Sequence, residues 1–379
     1  MRKSLIGIAA AMLMVLPALV LVAPVRAEGD AWTVMVYMAG DNSLSDAVAV
    51  DMAELEAVGS TADVNFVVLA DTADGPAYMY YVNQGGSTVI ASWGEVNTAD
   101  PAMLTKFIVD AKALYPANSY VLDLWNHGGG IMGVCWDDSS ADKITMLEMR
   151  DAVVNAGVSF ASVWFDACNM AQAEVAHQFQ GYASYIVFSQ QTVWGQGFPY
   201  DQIATHLVAT PTMDGRTLSL VAADEFMVFY AALGWNTCTI SVYDMAYLTT
   251  VSGAVQTFAG AMTSTMNLYY KTYKSCRGSA AATAGAVDLM GFAQLVAANT
   301  KLSTTVRNAA SATVTAVDLA IIYEWHSKDC AGMNGLGIWY PTSSVSYYWS
   351  ASMETMYRSM VFDQATGWAN FLDAYYAKA

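Results

Sequence analysis

Ser-Val-Trp-Phe-Asp-Ala-Cys-Asn-Met-Ala, residues 162–171, joins two local patterns. Its first half is a β-branched and aromatic run typical of a buried strand, and the residues after it, through Glu174 to Phe179, predict an alanine-rich helix. A strand that delivers Cys168 to the start of a helix places the thiol where the helix dipole favours thiolate, the nucleophilic form. We therefore expect a reactive cysteine at the carboxyl end of a buried strand.

A second buried-strand pattern, residues 119–126, lies about 40 residues upstream, roughly one crossover unit, and ends at His127-Gly128-Gly129-Gly130. Carboxyl ends of parallel strands meet at one edge of a sheet, where such sheets bind ligands. His127 and Cys168 are therefore predicted to meet as a base and a nucleophile. The backbone N–H groups of Gly128 and Cys168 are candidate oxyanion donors. The chain contains no Gly-x-Ser-x-Gly elbow, which argues against a serine esterase.

Strand and helix patterns alternate through the first half of the chain. Strands are predicted at 32–38, 64–70, 77–82, 88–93, 119–126, in the run from residue 162 up to Cys168, and at 185–189, and helices at 44–58, 101–114 and 147–156. This alternation predicts an α/β fold with a mainly parallel sheet that is covered on both faces.

The region from about residue 210 has a different, mostly helical pattern. Helices are predicted at 219–233, 246–273 and 299–323, single strands at 237–244 and 335–340, and a surface loop at 275–286. No Pro/Ser-rich linker or charge run separates the halves. We therefore expect residues 210–379 to pack on the same core as residues 28–209.

The N-terminus has the pattern of a secretory signal peptide. Arg2 and Lys3 precede an apolar run that ends at a small-x-small site, so cleavage is expected after Ala27 and the mature protein is predicted to be secreted. An uncleaved membrane anchor is the alternative, against which Pro17 argues. No later stretch is apolar enough to span a bilayer.

The composition excludes some partners. The chain has 379 residues, of which 55% are hydrophobic, and a formal charge of −17, which becomes −20 when the three basic residues of the signal peptide are removed. Nucleic acids and anionic membranes are therefore poor partners, whereas a basic peptide would be attracted. A solubilising acidic surface is the alternative explanation of the charge.

The odd number of cysteines bears on Cys168. The chain has five, so in an exported protein one thiol stays unpaired, and a nucleophile would be that one. The other four either form disulfides of unknown pairing or are buried thiols. They are Cys135, Cys238, Cys276 and Cys330. His177, His206 and His326 lack the spacing of a zinc site, so no metal ligand is assigned.

Several motifs in order carry a family resemblance. They are residues 34–44 (Val-Met-Val-Tyr-Met-Ala-Gly-Asp-Asn-Ser-Leu), 126–130 (Asn-His-Gly-Gly-Gly), 136–140 (Trp-Asp-Asp-Ser-Ser), 147–152 (Leu-Glu-Met-Arg-Asp-Ala), 165–171 (Phe-Asp-Ala-Cys-Asn-Met-Ala) with Glu174, and 189–200 (Ser-Gln-Gln through Gly-Phe-Pro-Tyr). The chain resembles the clostripain family of cysteine endopeptidases, relatives of caspases, gingipains and legumain. The resemblance covers residues 32–200.

The resemblance implies a caspase-like three-layer α/β/α sandwich in which residues 28–209 form the catalytic core. It implies that His127 is the catalytic histidine, that Cys168 is the nucleophile, and that cleavage follows Arg or Lys, with Asp166 at the base of the pocket for that side chain. A helix N-cap is the alternative role for Asp166. Relatives commonly carry an acidic residue in the loop where this chain has Gln196, which leaves Asp166 as the principal visible anion.

Two further family properties are implied for the segment between the histidine and the cysteine. Self-cleavage fits the Lys143–Ile144 bond in the polar stretch 139–144, and an ordinary exposed lysine is the alternative. Calcium often supports activity in the family, and Asp137, Asp138 and Asp142 are candidate ligands by this resemblance. Their spacing is not that of an EF-hand, and a solvated acidic loop is the alternative. The chemistry itself needs no cofactor.

Together these patterns predict a secreted cysteine endopeptidase that acts on peptides or proteins with basic residues through a thioester. One alternative is an endopeptidase of the same fold that prefers Asn or a neutral residue. Another is a non-catalytic surface or binding protein on this scaffold, which would be expected to have lost His127 or Cys168.

Overall fold

The computed structural model describes residues 30–342 and 350–378, so the predicted signal peptide lies outside the described residues. The strands are β1 Asp30–Gly40, β2 Val64–Thr72, β3 Gly75–Asn83, β4 Gly86–Gly94, β5 Ala117–Trp125, β6 Val134–Asp137, β7 Asp142–Ile144, β8 Ser162–Asp166, β9 Tyr185–Phe188, β10 Thr239–Asp244, β11 Ala282–Thr283, β12 Ala286–Asp288, β13 Ile321–His326 and β14 Gly337–Trp339. The helices are α1 Ser45–Val58, α2 Pro101–Leu114, α3 Met146–Ala156, α4 Ala173–Gln178, α5 Tyr200–Ala209, α6 Gly215–Leu233, α7 Leu248–Ser264, α8 Met266–Ser279, α9 Leu289–Ala298, α10 Thr304–Ala320, α11 Ala351–Ser359, α12 Val361–Thr366 and α13 Trp368–Tyr376.

A nine-stranded sheet organises the molecule, in the order β13-β10-β9-β8-β5-β1-β2-β3-β4. Its five central strands, β9, β8, β5, β1 and β2, run parallel, and antiparallel strands extend both edges. β5 and β8 are neighbours, so Trp125 pairs with Asp166 and the two strands end side by side. The sheet therefore brings His127 and Cys168 to one edge.

Helices bury the sheet on both faces. Met35 and Tyr37 of β1 face a core that includes side chains of α2, α3, α4, α7 and α10. Val36 and Met38 face a second core that includes side chains of α1, α5 and α6. Because successive side chains of a strand point to opposite faces, the continuous apolar run of β1 contributes to both cores. The predicted α/β/α sandwich with a mainly parallel sheet is confirmed.

The second half of the chain joins the same sheet. β10 pairs with β9, and β13 pairs with β10, both antiparallel. β11, β12 and β14 form a small separate sheet, and the β12–α9 segment packs into the core of the first half. No helix within residues 30–342 and 350–378 has the length and apolarity of a bilayer-spanning segment.

The structure corrects three predicted segments. The predicted helix 246–273 is two helices separated at Thr265, whose hydroxyl hydrogen bonds to the Ala261 carbonyl and competes with the backbone ladder. The predicted helix 299–323 ends at Ala320, where an Ile-Ile-Tyr-Glu-Trp-His run becomes β13. The predicted loop 275–286 contains the end of α8 and the strand β11.

Candidate active site

Cys168 and His127 line one cavity of about 170 Å³ at the carboxyl edge of the sheet. Asp166, Trp194 and Gly197 line the same cavity. His127 and Cys168 follow β5 and β8, as the sequence predicted, and Asp166 is the last residue of β8. The loop after β9 supplies Trp194 and Gly197. One cavity therefore contains a thiol, an imidazole and a carboxylate.

The structure corrects the predicted helix start at Cys168. α4 begins only at Ala173 and is a short helix, and Asn169 adopts a left-handed backbone with φ of 61°. Hydrogen bonds hold both the backbone and the side chain of Asn169. Its N–H donates to the Gln191 carbonyl, and its side-chain oxygen accepts from the Thr283 hydroxyl. The thiol therefore lies in an irregular turn, and the helix dipole does not act directly on it.

The environment of the pair favours its neutral form. Burial raises the pKa of the Cys168 thiol, and Asp166 adds to that rise. Burial also lowers the pKa of His127, which Asp138 partly offsets. The Cys168 Sγ donates to the Val193 carbonyl at 3.4 Å. Both shifts favour the thiol and the neutral imidazole over the ion pair, and a neutral imidazole can accept the thiol proton.

The backbone of Gly128 lies against the backbone of Cys168. A Cβ atom added at Gly128 would lie 2.3 Å from the Cys168 carbonyl oxygen and 2.8 Å from its nitrogen, so a side chain does not fit there. The backbone N–H groups of both residues lower the pKa of the Cys168 thiol and so favour negative charge at that point. This is the arrangement that an oxyanion hole requires.

Asp166 is buried at the base of the cavity, with 5% of its surface exposed. Its Oδ2 accepts hydrogen bonds from the Phe198 N–H at 2.8 Å and from the Tyr200 hydroxyl at 3.1 Å. The alternative role as a helix N-cap is wrong, because Gln172 occupies that position of α4.

Two more buried carboxylates lie beside Asp166. Asp123 Oδ2 accepts from the Tyr200 hydroxyl at 2.7 Å, and Asp51 Oδ2 accepts from the Trp125 indole at 2.5 Å. A Cβ at Gly197 would lie 2.5 Å from Asp166 Oδ2 and 3.0 Å from Asp51 Oδ2, so both carboxylates border that glycine. The exposed Gln196 lies outside the cavity lining. Asp166 is therefore one of three clustered anions rather than the principal one.

Burial and mutual repulsion act on this cluster together. Burial raises the pKa of Asp166, and the charges of Asp123 and Asp51 raise it further. The pKa values of Asp51 and Asp123 are raised by burial as well. Among the ion pairs of the described residues, none neutralises these three carboxylates. A cationic ligand in the cavity would relieve the repulsion.

Sequence reasoning missed Asp51 and Asp123, although a signal existed. Asp123 interrupts the apolar run of β5, and Asp51 lies on the buried face of α1 with Val48 and Leu55. A charged residue at a position that the apolar period assigns to the core is unusual unless it has a specific partner.

The Lys143–Ile144 bond lies in β7 of a hairpin rather than in the predicted polar loop. Ile144 is buried and pairs with Val134 of β6, and the Lys143 ammonium lies 5.3 Å from the centre of the Trp136 ring. Cleavage of this bond would first require β7 to separate from β6, since a protease binds an extended, accessible backbone.

The other residues that the sequence singled out are the cysteines, His177 and the aspartates at 137, 138 and 142. All five cysteines are free thiols and four of them are buried, which corresponds to the buried-thiol alternative. His177 is buried, with Nδ1 2.7 Å from the Ala173 carbonyl oxygen. Asp138 and Asp142 are exposed, as expected of a solvated acidic loop, whereas Asp137 is buried.

A cysteine and a histidine at the ends of adjacent parallel strands of an α/β/α sandwich define the class of caspase-like cysteine peptidases. Within that class the chain belongs to the clostripain family, since the family profile, Peptidase C11, matches residues 36–375. Clostripain from Hathewaya histolytica is 31% identical over 224 residues, which cover 47% of this chain and 42% of that protein. The match thus spans less than half of that relative.

Two solved structures share the fold over 90% of this chain, each with a TM-score of 0.70. One is a secreted C11 cysteine protease from Bacteroides thetaiotaomicron in complex with an irreversible peptide inhibitor, which is 21% identical and is covered completely. The other is an inactive zymogen C11 protease from Parabacteroides distasonis, which is 20% identical and is covered over 99% of its length.

Proposed function

We propose that this protein is a secreted endopeptidase that cleaves peptide bonds after Arg or Lys. The observation that carries the proposal is the buried Asp166 in the cavity that Cys168 and His127 also line. A buried carboxylate without an ionic partner gains most from a cationic ligand. The net negative charge of the chain favours the approach of basic substrates.

In the proposed reaction the Cys168 sulfur attacks the scissile carbonyl carbon while His127 takes the thiol proton. The oxyanion accepts hydrogen bonds from the backbone N–H groups of Gly128 and Cys168. The C–N bond then breaks, His127 returns the proton to the leaving amine, and a thioester remains on Cys168. Water hydrolyses the thioester with His127 as general base, which releases the acid product and restores the thiol. No cofactor takes part in these steps.

The cavity offers a second element of selectivity for a long basic side chain. Trp194 lines it with 41% of its surface exposed. An indole face packs against the aliphatic part of Arg or Lys and stacks on a guanidinium group. We therefore propose that Trp194 contacts the stem of the substrate side chain while Asp166 pairs with its charge.

Preference for Asn or a neutral residue is the second candidate specificity. It is favoured by the raised pKa of Asp166 beside two other carboxylates, since a protonated carboxyl group binds a neutral amide. A panel of fluorogenic peptides with Arg, Lys, Asn or Ala before the reporter separates the candidates. We expect cleavage of the Arg and Lys peptides by the parent protein and none by Cys168→Ala.

The outcomes of this panel are distinct. Preference for the Asn peptide would replace the basic specificity and keep the reaction. If no peptide is cut, the endopeptidase proposal fails and a binding role on the same scaffold takes its place. Asp166→Asn should lose the Arg and Lys cleavage selectively while it still cuts the peptides that carry neutral residues.

Secretion and self-processing complete the proposal. We propose that residues 1–27 direct export and are removed after Ala27, and that the parent enzyme cuts its own Lys143–Ile144 bond. N-terminal sequencing of the exported parent and Cys168→Ala chains tests both steps. We expect a new terminus at Glu28 in both chains and one at Ile144 in the parent alone. An Ile144 terminus of equal abundance in both chains would contradict self-cleavage.

A further inference from the structure

Cys238 and Cys330 lie together at one edge of the nine-stranded sheet. Cys238 comes directly before β10, and Cys330 ends the short turn that follows β13, the outermost strand on that side. Both residues are thiols in the structure, and both are buried, with at most 2% of their surface exposed. The function proposed above uses neither of them.

Ser327, the residue between β13 and that turn, contacts both cysteines. Its N–H donates to the Cys238 carbonyl at 2.9 Å, and its hydroxyl accepts from the Cys238 N–H at 2.8 Å. The same hydroxyl lies 3.9 Å from the Cys330 Sγ, and the Cys330 N–H donates to the Ser327 carbonyl at 3.0 Å. One serine thus touches the backbone of one cysteine and the thiol of the other. The two cysteines are therefore neighbours in space, as a disulfide requires.

The two thiols also interact electrostatically. Burial raises the pKa of the Cys238 thiol to about 11, a hydrogen bond with the Trp194 side chain lowers it, and the charge of Cys330 raises it further. Cys135 and Cys276, in contrast, belong to the core on the opposite face of the sheet from Cys238. Cys330 is therefore the partner that the fold offers to Cys238.

We propose that Cys238 and Cys330 form a disulfide bond when the chain folds in an oxidising compartment. One cysteine thiolate attacks a small disulfide such as oxidised glutathione and releases the first glutathione. The second thiolate then attacks the mixed disulfide and releases the other glutathione. Two cysteine thiols are thereby oxidised, one glutathione disulfide is reduced, and the two cysteine protons pass to the two glutathione thiols. In the cell the bond rests on the export proposed above, since disulfides persist outside the reducing cytosol.

The bond would fasten the edge strand β13 to β10. β13 is the outermost strand, and its side chains are partly or fully exposed. Cys238 and Cys330 are about 90 residues apart in the sequence, so the bond closes a long loop, for which the chain-entropy model gives a large stabilisation. Because both residues are buried, reductants would reach the bond only after β13 has separated from β10.

The bond is tested on the full chain with Cys168→Ala, which prevents self-cleavage and removes the nucleophilic thiol. The reduced, unfolded chain is refolded either with oxidised and reduced glutathione or with a phosphine reductant. Free thiols are then alkylated, and the unreduced protein is digested and mapped by mass spectrometry. We expect peptides joined through Cys238 and Cys330 after oxidative refolding alone, with Cys135 and Cys276 alkylated in both preparations. The oxidatively refolded chain should also unfold at a temperature roughly 5 °C higher.

Three variants of this chain make the test decisive. Cys238→Ala and Cys330→Ala should each lose the joined peptides and the rise in unfolding temperature. Cys276→Ala, also a buried cysteine, is the matched control and should keep both. If Cys238 and Cys330 are alkylated after oxidative refolding, or if either is joined to a different cysteine, the proposal is overturned. A rise in unfolding temperature that persists in Cys330→Ala would disprove the stabilising role. These outcomes do not depend on peptide cleavage, so failure of the proposed function would leave them unchanged.

The cysteine pair also lies behind Trp194, which lines the active-site cavity. The Trp194 side chain hydrogen bonds to the Cys238 thiol, and its ring packs edge-on against Trp235, with the ring centres 5.0 Å apart. The segment before β10 thus holds Trp194 in place. A disulfide at Cys238 would therefore fix the part of the cavity wall that we propose contacts the substrate side chain.

This link rests on the proposed function and has its own measurement. In the chain with Cys168, refolded and assayed with glutathione, Cys330→Ala should raise KM for the Arg peptide a few-fold relative to Cys276→Ala, although Cys330 does not line the cavity. KM is the readout because it does not depend on the fraction of Cys168 that glutathione blocks. Equal KM values would disprove the link and retain the bond. Absence of all peptide cleavage would instead count against the proposed function.

Discussion

Ser43 Oγ lies 2.9 Å from Nε2 of His127 and occupies one nitrogen of the imidazole. The other nitrogen, Nδ1, is then the one available to the thiol and to the leaving amine. A hydrogen bond of this kind orients a catalytic histidine and selects its tautomer. The residue that supplies it belongs to the segment after β1, far from the histidine in sequence.

Replacement of Ser43 should therefore lower turnover rather than substrate binding. For Ser43→Ala we expect kcat to fall about fivefold, the equivalent of one hydrogen bond of about 1 kcal/mol, with little change in KM. The pair is exposed, so the unfolding temperature should stay close to that of the parent. Steady-state kinetics with an Arg peptide, together with a thermal melt, would contradict this role if KM rose while kcat was unchanged.

Gly128 offers a sharper test of the oxyanion hole. A methyl group at this position would collide with the backbone of Cys168, 2.3 Å away, and displace one of the two N–H donors. Gly128→Ala should reduce kcat by about 100-fold, the usual cost of losing one oxyanion donor. The matched control is Gly253→Ala in α7, where an added Cβ meets no atom within 4 Å. The control should keep full activity and be slightly more stable.

The three-carboxylate cluster predicts how selectivity for basic substrates depends on pH. The pKa of Asp166 is raised by burial and by Asp123 and Asp51, so ionisation of the carboxyl group, and with it attraction of Arg, should increase as pH rises. The ratio of kcat/KM for Arg over Asn peptides should therefore grow as pH rises above the range in which an ordinary aspartate ionises. Asp51→Asn removes one source of repulsion and should move this rise to lower pH.

The control for this series is Asp46→Asn, an exposed aspartate in the first turn of the same helix. It should leave the pH profile unchanged. A selectivity ratio independent of pH in the parent would show that the charge of Asp166 does not select the substrate.

Much of the fold could be predicted from local patterns because the central strands are buried on both faces. In the sequence such strands are continuous apolar runs, as in β1 and β2. The end of each run marks the point where the strand leaves the sheet. β13 was missed because its residues follow α10 without a turn residue between them. Its strand state is imposed by pairing with β10, a contact that spans about 80 residues and that no local window contains.

The site was predictable in part for the same reason. Strand ends identified His127 and Cys168, and the family resemblance supplied Asp166. Ser43 and Asp51, in contrast, come close to His127 and Gly197 through contacts between distant segments. The predicted helix at Cys168 failed because Asn169 adopts a positive φ, held by hydrogen bonds to Gln191 and Thr283. Hydrogen bonds from remote segments thus override the helix propensity of the alanine-rich sequence.

Glu174 predicts a dependence of stability on pH that is separate from the active site. Its Oε1 accepts from the Trp339 N–H at 2.8 Å and from the Tyr357 hydroxyl at 2.6 Å, while Oε2 accepts no hydrogen bond. Burial raises the pKa of Glu174 from 4.5 to about 7, an effect that these hydrogen bonds only partly offset. Glu174 therefore links α4 to β14 and α11, and these contacts are most favourable when the Glu174 carboxyl group is protonated.

The sign of the effect follows from proton binding. Between the unfolded pKa of 4.5 and the folded pKa of about 7, the folded state holds the proton and the unfolded state releases it. The contribution of Glu174 to the free energy of unfolding therefore decreases as pH rises through this window, by about 3 kcal/mol at most. Glu174→Gln keeps an acceptor oxygen for Trp339 and Tyr357 without the charge. Urea titrations at a series of pH values should show that this variant is more stable than the parent above the window and nearly equal to it below. The exposed Asp318→Asn is the control and should show no such trend. A parent–Glu174→Gln difference that stays constant with pH would mean that Glu174 is not protonated in the folded protein.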